Sequence, residues 1–281
     1  MNLFNIINEI EQVDPEIHER LSPRRDAIKN ITSFGSKVAL AAMPFALGTM
    51  FKKAYGQTNS SVVDVLNFAL TLEYLEAKFY NTGSAGALIP AANASYINEI
   101  KDDENQHVSF LKGVITQLGG TPVAEPNIDL SGGNGSGNGP FAAALTDYPT
   151  FLLAAQAFED TGVRAYKGQA PALKGNQVVL TAALSIHAVE ARHASAIRKL
   201  RFDLGQSTTT KPWIVSTASK GNDTGNALVD GNYDGEQNVT QGGVNLTTAL
   251  GASVSVATGA FDEPLTTEQV LLLLKGSFLV S

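Results

Sequence analysis

Four stretches of the chain carry apolar residues three and four positions apart, which is the spacing of an amphipathic α-helix. In the first stretch, Leu66, Leu70 and Ala77 fall on one stripe. The other stretches with this spacing are 97–115, 152–166 and 180–200. The pattern predicts four helices that each bury one face, and therefore a helical bundle.

Turn-forming residues give the bounds of these predicted helices. They are expected at about 60–80, 94–118, 149–167 and 176–202. Gly83 is expected to end the first helix, because glycine adopts the left-handed conformation that closes helices. The segment between Gly119 and Tyr148 is rich in Gly, Pro and Asn and has no periodicity. A helix of about 25 residues is roughly 37 Å long, and about eleven extended residues span that length. The segment can therefore cross over the whole bundle.

The same four residue types occur twice at the same offsets. Each copy starts with Glu, followed by Tyr at +7, Glu at +31 and His at +34. The first copy is Glu73, Tyr80, Glu104 and His107. The second copy is Glu159, Tyr166, Glu190 and His193. Two helical hairpins with the same residues at the same offsets indicate one site built twice around a pseudo-two-fold axis.

The spacing within each copy favours a metal site. Glu-x-x-His places both side chains on one helix face, one turn apart. With one further glutamate from each partner helix, four carboxylates and two imidazoles converge, and four carboxylates balance the charge of two divalent cations. Oxygen-rich ligand sets with imidazole suit iron or manganese. Without cations, each carboxylate in the core would cost on the order of several kcal/mol.

The resemblance to a known family rests on four stretches, LNFALTLEYLEAKFY, DDENQHVSFL, AFEDTGVRAY and HAVEARHA. They resemble the ferritin-like superfamily, in particular the ferritin-like-domain and desiccation-related proteins of bacteria. The resemblance covers about 60–205 and implies an all-α core: a ferritin-like antiparallel four-helix bundle with one long crossover. The metal ligands it implies are Glu73, Glu104, His107, Glu159, Glu190 and His193.

Three further residues are predicted to contact these ligands. Asp103 resembles the aspartate that orients a ligating histidine from a neighbouring helix. The second copy has Val189 at that position, so the two metals are not expected to be equivalent. Tyr80 and Tyr166 are candidate hydrogen-bond donors to the carboxylates, or redox-accessible phenols near the metals. Ordinary aromatic packing in the core is the alternative for both tyrosines.

Two other residues are rivals for the ligand role. Glu76 lies one turn after Glu73, but its counterpart in the second copy is Gly162, so the repeat disfavours it. His187 lies close to the second Glu-x-x-His motif but is angularly offset from its histidine, and we expect it not to bind metal.

Composition excludes several other classes of protein. The 281 residues are 43% apolar, which is enough for a full core and an appended segment. The net charge of −7 is spread along the chain, and no basic patch indicates a nucleic-acid partner. The absence of cysteine excludes disulfides, zinc–thiolate sites and iron–sulfur clusters.

Residues 1–56 are predicted to be an export signal with an N-terminal helical region. The segment 22–29 resembles a twin-arginine signal, although Ala27 stands where that motif prefers an aromatic residue. The apolar run 38–51 is too short to span a bilayer comfortably and suits the apolar region of a signal. We therefore expect contact with export machinery and a periplasmic or secreted location. A cytoplasmic protein with an additional N-terminal helix is the alternative.

The bundle is expected at 57–205 and a C-terminal extension at 206–281. Two β-prone runs in the extension, GGVNLTTAL and ASVSVATGAF, favour a small appendage with short strands, and a long wrapping tail is the alternative. Thr266 is predicted to start a final helix. Its apolar run, 270–274, is expected to be buried against the bundle or against a second subunit of a homodimer. No fifth helix of the type found in ferritin cages is evident, so an iron-storage shell is not implied.

The leading functional prediction is a di-metal carboxylate protein. Its two divalent ions are predicted to be iron, with manganese as the second choice. The expected chemistry is that of an oxidoreductase: oxidation of Fe(II), or reaction of a reduced di-metal centre with oxygen or peroxide. Two alternatives stay open, a non-catalytic structural protein associated with stress or desiccation and a manganese-type catalase.

Overall fold

The computed structural model describes most of the chain beyond the N-terminal region. The described residues are 60–206, 210–214, 216–217, 220–221 and 231–280. The predicted export signal and N-terminal helical region lie outside them. Of the helices in this part of the chain, none combines the length and apolar character needed to cross a membrane.

Four long helices form the bundle. They are α1 Ser60–Ser84, α2 Ala94–Gln117, α3 Tyr148–Gln169 and α4 Gln177–Asp203. The most extensive helix contacts are those of α1 with α2 and of α3 with α4. The bundle is therefore built from two hairpins, and the predicted ferritin-like helical bundle is confirmed.

Side-chain caps fix where the second hairpin begins and turns. Asp147 precedes α3, and its carboxylate accepts a 2.9 Å hydrogen bond from the Thr150 amide. Asn176 precedes α4 and accepts a 3.0 Å hydrogen bond from the Val179 amide. Each cap satisfies an amide that has no partner inside the helix.

The prediction that Gly83 ends α1 near residue 80 is wrong, because the helix continues through it to Ser84. A Cβ atom at position 83 would lie 2.3 Å from the ring of Phe151 on α3. The missing side chain lets this ring approach the backbone of α1. Gly83 therefore serves helix packing and not helix termination.

The crossover between α2 and α3 is ordered by one carboxylate. Asp129 accepts hydrogen bonds from the amides of Ser131 at 2.9 Å, Gly135 at 2.8 Å and Gly137 at 3.0 Å. Its own amide donates to the Phe278 carbonyl at 2.9 Å. The glycine-rich segment is thus folded around Asp129 and tied to the C-terminal end of the described chain.

Short elements make up the C-terminal extension. Two antiparallel ribbons pair β1 Ser216–Thr217 with β2 Lys220–Gly221, and β3 Thr240–Gln241 with β4 Val244–Asn245. The helices are α5 Leu246–Leu250, α6 Val254–Gly259 and α7 Thr267–Leu274. Strands were expected in the run ASVSVATGAF. This expectation is wrong, because most of the run forms the helix α6. Ser253 caps α6 by accepting a hydrogen bond from the Val256 amide, and Val256 is exposed and packs in no sheet.

The expected final helix is present as α7. Thr266 and Gln269 form a capping box at its start. Val270 and Leu274 are buried, and α7 packs on α3. These two residues pack against the chain's own bundle, but Leu272 is 81% exposed, so the expected burial of the whole run is wrong.

Two buried ion pairs lie where the extension meets the bundle. The Arg198 guanidinium on α4 donates to both carboxylate oxygens of Asp160 on α3, at 2.9 and 2.5 Å. Tyr233 of the extension also donates to Asp160. A second buried pair joins Arg164 on α3 to Glu236 at 2.8 Å. Charged groups, and not only apolar contacts, therefore attach the extension.

Candidate metal centre

Six side chains from the four long helices meet in the middle of the bundle. The four glutamates, Glu73, Glu104, Glu159 and Glu190, are fully buried. The two histidines, His107 and His193, are 8% and 5% exposed. The structure therefore brings together all six residues that the sequence selected as ligands. Their binding of metal stays a prediction.

The first half of the cluster converges on one ring nitrogen. His107 Nδ1 lies 3.1 Å from Glu73 Oε2, 3.2 Å from Glu104 Oε2 and 3.1 Å from Glu190 Oε1. A ring nitrogen carries at most one hydrogen. Hydrogen bonding alone does not account for three carboxylates around this atom, whereas a shared cation would.

The second half is arranged around His193. Its Nδ1 atom lies 2.9 Å from Glu104 Oε1 and 3.4 Å from Glu159 Oε2. In each half, four residues present ligand atoms that all lie within 4.8 Å of one another. The first half contains Glu73, Glu104, His107 and Glu190, and the second contains Glu104, Glu159, Glu190 and His193. Glu104 and Glu190 belong to both halves.

The donor atoms of this cluster fit two divalent cations. Several are buried without a hydrogen-bond partner, although an unpaired buried polar atom is costly. These atoms are Glu104 Oε1, Glu159 Oε2, both carboxylate oxygens of Glu190, and His193 Nδ1. His193 Nδ1 is close to Glu104 Oε1, but the two atoms are not in hydrogen-bonding geometry. Two cations shared by Glu104 and Glu190 would satisfy these atoms and balance the four carboxylate charges.

The tyrosines of the repeat reach the carboxylates reciprocally. Tyr80 on α1 donates its hydroxyl hydrogen to Glu159 on α3. Tyr166 on α3 donates to Glu73 on α1. Each tyrosine thus fixes the carboxylate of the opposite hairpin, as the pseudo-two-fold repeat requires. These contacts favour the predicted donor role over simple aromatic packing.

Asp103 introduces the expected asymmetry. Its Oδ2 atom lies 3.1 Å from His193 Nε2, the ring nitrogen that faces away from the glutamates. A carboxylate in this place fixes the orientation of the imidazole and raises its basicity. The corresponding position of the second copy, Val189, offers no such group.

The metal-free cluster holds its protons tightly. Burial, and then the charges of Glu73 and Glu159, raise the pKa of Glu104 to about 7, against the opposing effect of the histidines. Burial and the neighbouring Glu104 raise the pKa of Glu190 well above its usual range. Burial disfavours a charged imidazole, but nearby carboxylates outweigh it and raise the pKa of both His107 and His193. Metal binding must displace these protons.

We expect the metal-free chain to become less stable as the pH rises from 5 to 8. The pKa of Glu104 is about 7 in the folded chain, and 4.5 is the ordinary value of a glutamate, so its contribution to stability is complete below pH 4.5 and is lost as the pH rises through 7. The raised pKa values of Glu190 and both histidines act in the same direction. The pKa of Glu73 is lowered, so its contribution to stability changes only below pH 5, outside this range.

Thermal unfolding of the chelator-treated chain should therefore show a Tm about 5 °C lower at pH 8 than at pH 5. The metal-loaded chain should lose this dependence, since its ligands are already deprotonated. If the Tm of the metal-free chain instead rose over the same pH range, the raised pKa values of the cluster would be contradicted.

The two rival residues lie outside both four-residue groups. His187 is half-buried, and burial lowers its pKa, as expected for a residue away from the carboxylates. Glu76 is 3% exposed, and burial together with nearby glutamates raises its pKa well above the usual range. The repeat disfavoured Glu76 as a ligand but did not indicate that it is buried beside the cluster. The one available signal was the glycine at position 162, because the absence of a side chain there leaves room for the Glu76 carboxyl group.

The fold and this cluster together define a class of protein, a four-helix bundle whose interior carboxylates and imidazoles could hold metal ions. The model of the ferritin-like domain family matches residues 61–203, about half of the chain. The chain therefore belongs to the ferritin-like domain family. No curated protein matches the chain closely enough to name a relative.

Proposed function

We propose that this protein binds two iron ions between its four long helices and oxidises Fe(II) with dioxygen. The observation that carries the proposal is the sharing of Glu104 and Glu190 between two four-residue groups, each with one histidine. Two ions held by common carboxylates are close enough to act on one small molecule. Isolated ions would not have this property.

The reaction would need two electrons at one place. Two Fe(II) ions each lose one electron, and the two electrons with two protons convert O₂ to H₂O₂. The protein's part is to hold the carboxylates in place, and the hydroxyls of Tyr80 and Tyr166 do this for Glu159 and Glu73. Burial of the cluster also excludes bulk water from the reacting ions.

An apolar cavity supports dioxygen as the oxidant. A cavity of about 20 Å³ lies between the helices, and its lining includes Leu66, Leu111, Ala183 and Tyr166. Tyr166 also donates to Glu73, so the cavity adjoins the cluster. Dioxygen is apolar and enters such a space without losing hydrogen bonds, whereas peroxide would leave its hydroxyl groups unpaired there.

The proposal is tested by iron oxidation under single-turnover conditions. The metal-free chain is mixed anaerobically with two equivalents of Fe(II) and then with air-saturated buffer, and Fe(III) absorbance is followed. We expect oxidation at least about tenfold faster than in buffer alone, since the site orients both reactants. A variant with Glu104→Gln and Glu190→Gln should oxidise iron no faster than buffer.

The same preparation separates the alternatives. Oxygen release from peroxide by the manganese-loaded chain, without iron oxidation, would replace the proposal by a manganese-type catalase. If the chain retained neither metal, the remaining hypothesis would be the non-catalytic structural protein associated with stress or desiccation.

We also propose that the protein acts outside the cytoplasm, in the periplasm or after secretion. The support is the pair of arginines in segment 22–29 with the apolar run 38–51 behind it. Twin-arginine export carries folded proteins, which would allow the bundle to acquire metal before export. Fractionation of cells that express the chain with Arg24→Lys and Arg25→Lys tests this. Retention of the variant in the cytoplasm is expected, and an unchanged distribution would contradict it.

A further inference from the structure

A second, smaller group of residues lines a cavity beside the cluster. A cavity of about 30 Å³ lies between α1 and α3 beneath α7, and we call it the α1–α3 cavity. Its lining includes half-buried Asn232 and Leu273 as well as buried Glu76 and Phe278. The half-buried residues form an outer rim and the buried ones an inner wall. The volume suffices for water or a small ion.

Glu76 gives the inner wall a carboxyl group. It is 3% exposed, and the charged groups that act on it most strongly are other glutamates. Of the described residues that line the α1–α3 cavity, Glu76 alone carries an ionisable side chain. A buried carboxylate beside other carboxylates is costly, and a cation is the group that would satisfy it.

Gly162 brings Glu76 into reach of the cluster. A Cβ atom at position 162 would lie 3.2 Å from Glu76 Oε1 and 3.3 Å from Glu190 Oε2. The two carboxylates therefore face the same small space, which any larger side chain at 162 would crowd. Glu190 is one of the two glutamates shared by both halves of the cluster. Glu76 thus lies between the α1–α3 cavity, which it lines, and Glu190.

Glu76 is not needed as a permanent ligand. Each half of the cluster already has four residues without it. Four carboxylates balance two divalent cations, and a fifth would leave an excess negative charge in a buried place. A carboxylate at this position is suited to hold an ion briefly.

We propose that Glu76 is a transfer ligand, which takes a divalent cation from the α1–α3 cavity and passes it to Glu190. The inference rests on the proposed function, because it requires that the cluster hold metal ions. Glu76 replaces part of the hydration shell of the incoming cation and lowers the barrier to crossing the apolar wall formed by Leu72, Leu273 and Phe278.

The inference is tested by the rate of metal uptake, which does not depend on catalysis. The metal-free full-length chain is mixed with Co(II) chloride in a stopped-flow spectrometer, and the visible bands of protein-bound cobalt are followed. Glu76→Gln should bind two ions per chain, as the wild type does, but about tenfold more slowly, because an amide cannot release a proton to become an anionic ligand for the incoming cation. Glu99→Gln, an exposed site on α2, is the matched control and should leave the rate unchanged.

A second variant tests the route without changing any charge. Leu273→Trp places a larger side chain at the rim, far from the ligands, and should also slow uptake while leaving two ions bound at equilibrium. Circular dichroism verifies that both variants keep the helix content of the wild type.

Three other outcomes would contradict the inference, and each has a different consequence. An uptake rate for Glu76→Gln equal to that of the wild type would refute the transfer role. Binding of fewer than two ions by this variant would make Glu76 a resident ligand. Binding of no cobalt by the wild type would instead overturn the proposed function, and the inference with it.

Discussion

Loading the metal-free chain with Fe(II) or Mn(II) under anaerobic conditions should raise its Tm by about 10 °C or more. A ligand that binds only the folded state stabilises by about 4 kcal/mol at a thousand times its dissociation constant, and each kcal/mol corresponds to about 2–4 °C for a domain of this size. Two sites should reach this total even at modest excess. The measurement is calorimetry of one preparation with and without added metal, at fixed pH.

The expected gain comes from four buried carboxyl groups whose mutual repulsion, in the absence of cations, keeps some of them protonated. Burial and this repulsion raise the pKa values of Glu104 and Glu190 in the metal-free protein. The cluster is therefore a source of instability until cations bind, and metal binding is coupled to folding. Chelation should reverse the gain completely.

The control variant carries Glu104→Gln and Glu190→Gln. It removes both shared carboxylates and should retain no metal ion. Its metal-free Tm should equal or exceed that of the metal-free wild type, because two desolvated acids have been replaced by neutral side chains of similar shape. A wild-type Tm that does not respond to metal would contradict the di-metal site and favour the structural alternative.

The candidate site could be predicted from the sequence because the same set of residues occurs twice at the same offsets. A single Glu-x-x-His is common on helix surfaces, but the second copy fixes which glutamate of each partner helix belongs to the set. Comparison of Glu76 with Gly162 excluded a rival for the same reason. The helical period supplied the rest, since it places Glu73 and Glu104 on the faces that carry the apolar residues.

Features that depend on contacts between distant segments could not be predicted in this way. Gly83 has the identity of a helix terminator, and only the close approach of the Phe151 ring across the bundle shows that the position needs a residue without a side chain. Val254 and Val256 favour strands, but the Ser253 side chain caps a helix that begins at Val254. In both cases the surrounding structure outweighs the local conformational propensity of the residues.

The pair of Asp160 and Arg198 was also invisible in the sequence. Asp160 directly follows a predicted ligand, so the helical period turns it away from the metal centre and toward an outer face of α3. Such a position usually faces water. Here the extension covers it, and Arg198 and Tyr233 supply its partners. Tyr233 lies more than seventy residues along the chain, beyond the reach of any local pattern.

Replacing this buried arginine should cause the largest loss of stability of any single change outside the metal centre. In Arg198→Met, Asp160 stays buried with only the Tyr233 hydroxyl as a charge-stabilising donor among the contacts described here. Breaking a buried pair from one side costs about 3–5 kcal/mol. Urea denaturation followed by circular dichroism measures the loss. Lys199→Met is the matched control, since the exposed pair of Lys199 and Asp203 on the same helix should contribute at most about 1 kcal/mol.

The pH dependence of the arginine variant separates a lost charge partner from lost packing. Burial raises the pKa of Asp160, and Arg198 counteracts that rise in the wild type. Without the arginine the folded pKa should rise further above its value in the unfolded chain, so the variant should lose stability as the pH rises through this folded pKa. The double variant Asp160→Asn with Arg198→Met removes the unpaired charge and keeps an acceptor for Tyr233. It should recover most of the loss and show no such pH dependence, whereas an equal loss in both variants would assign the effect to packing alone.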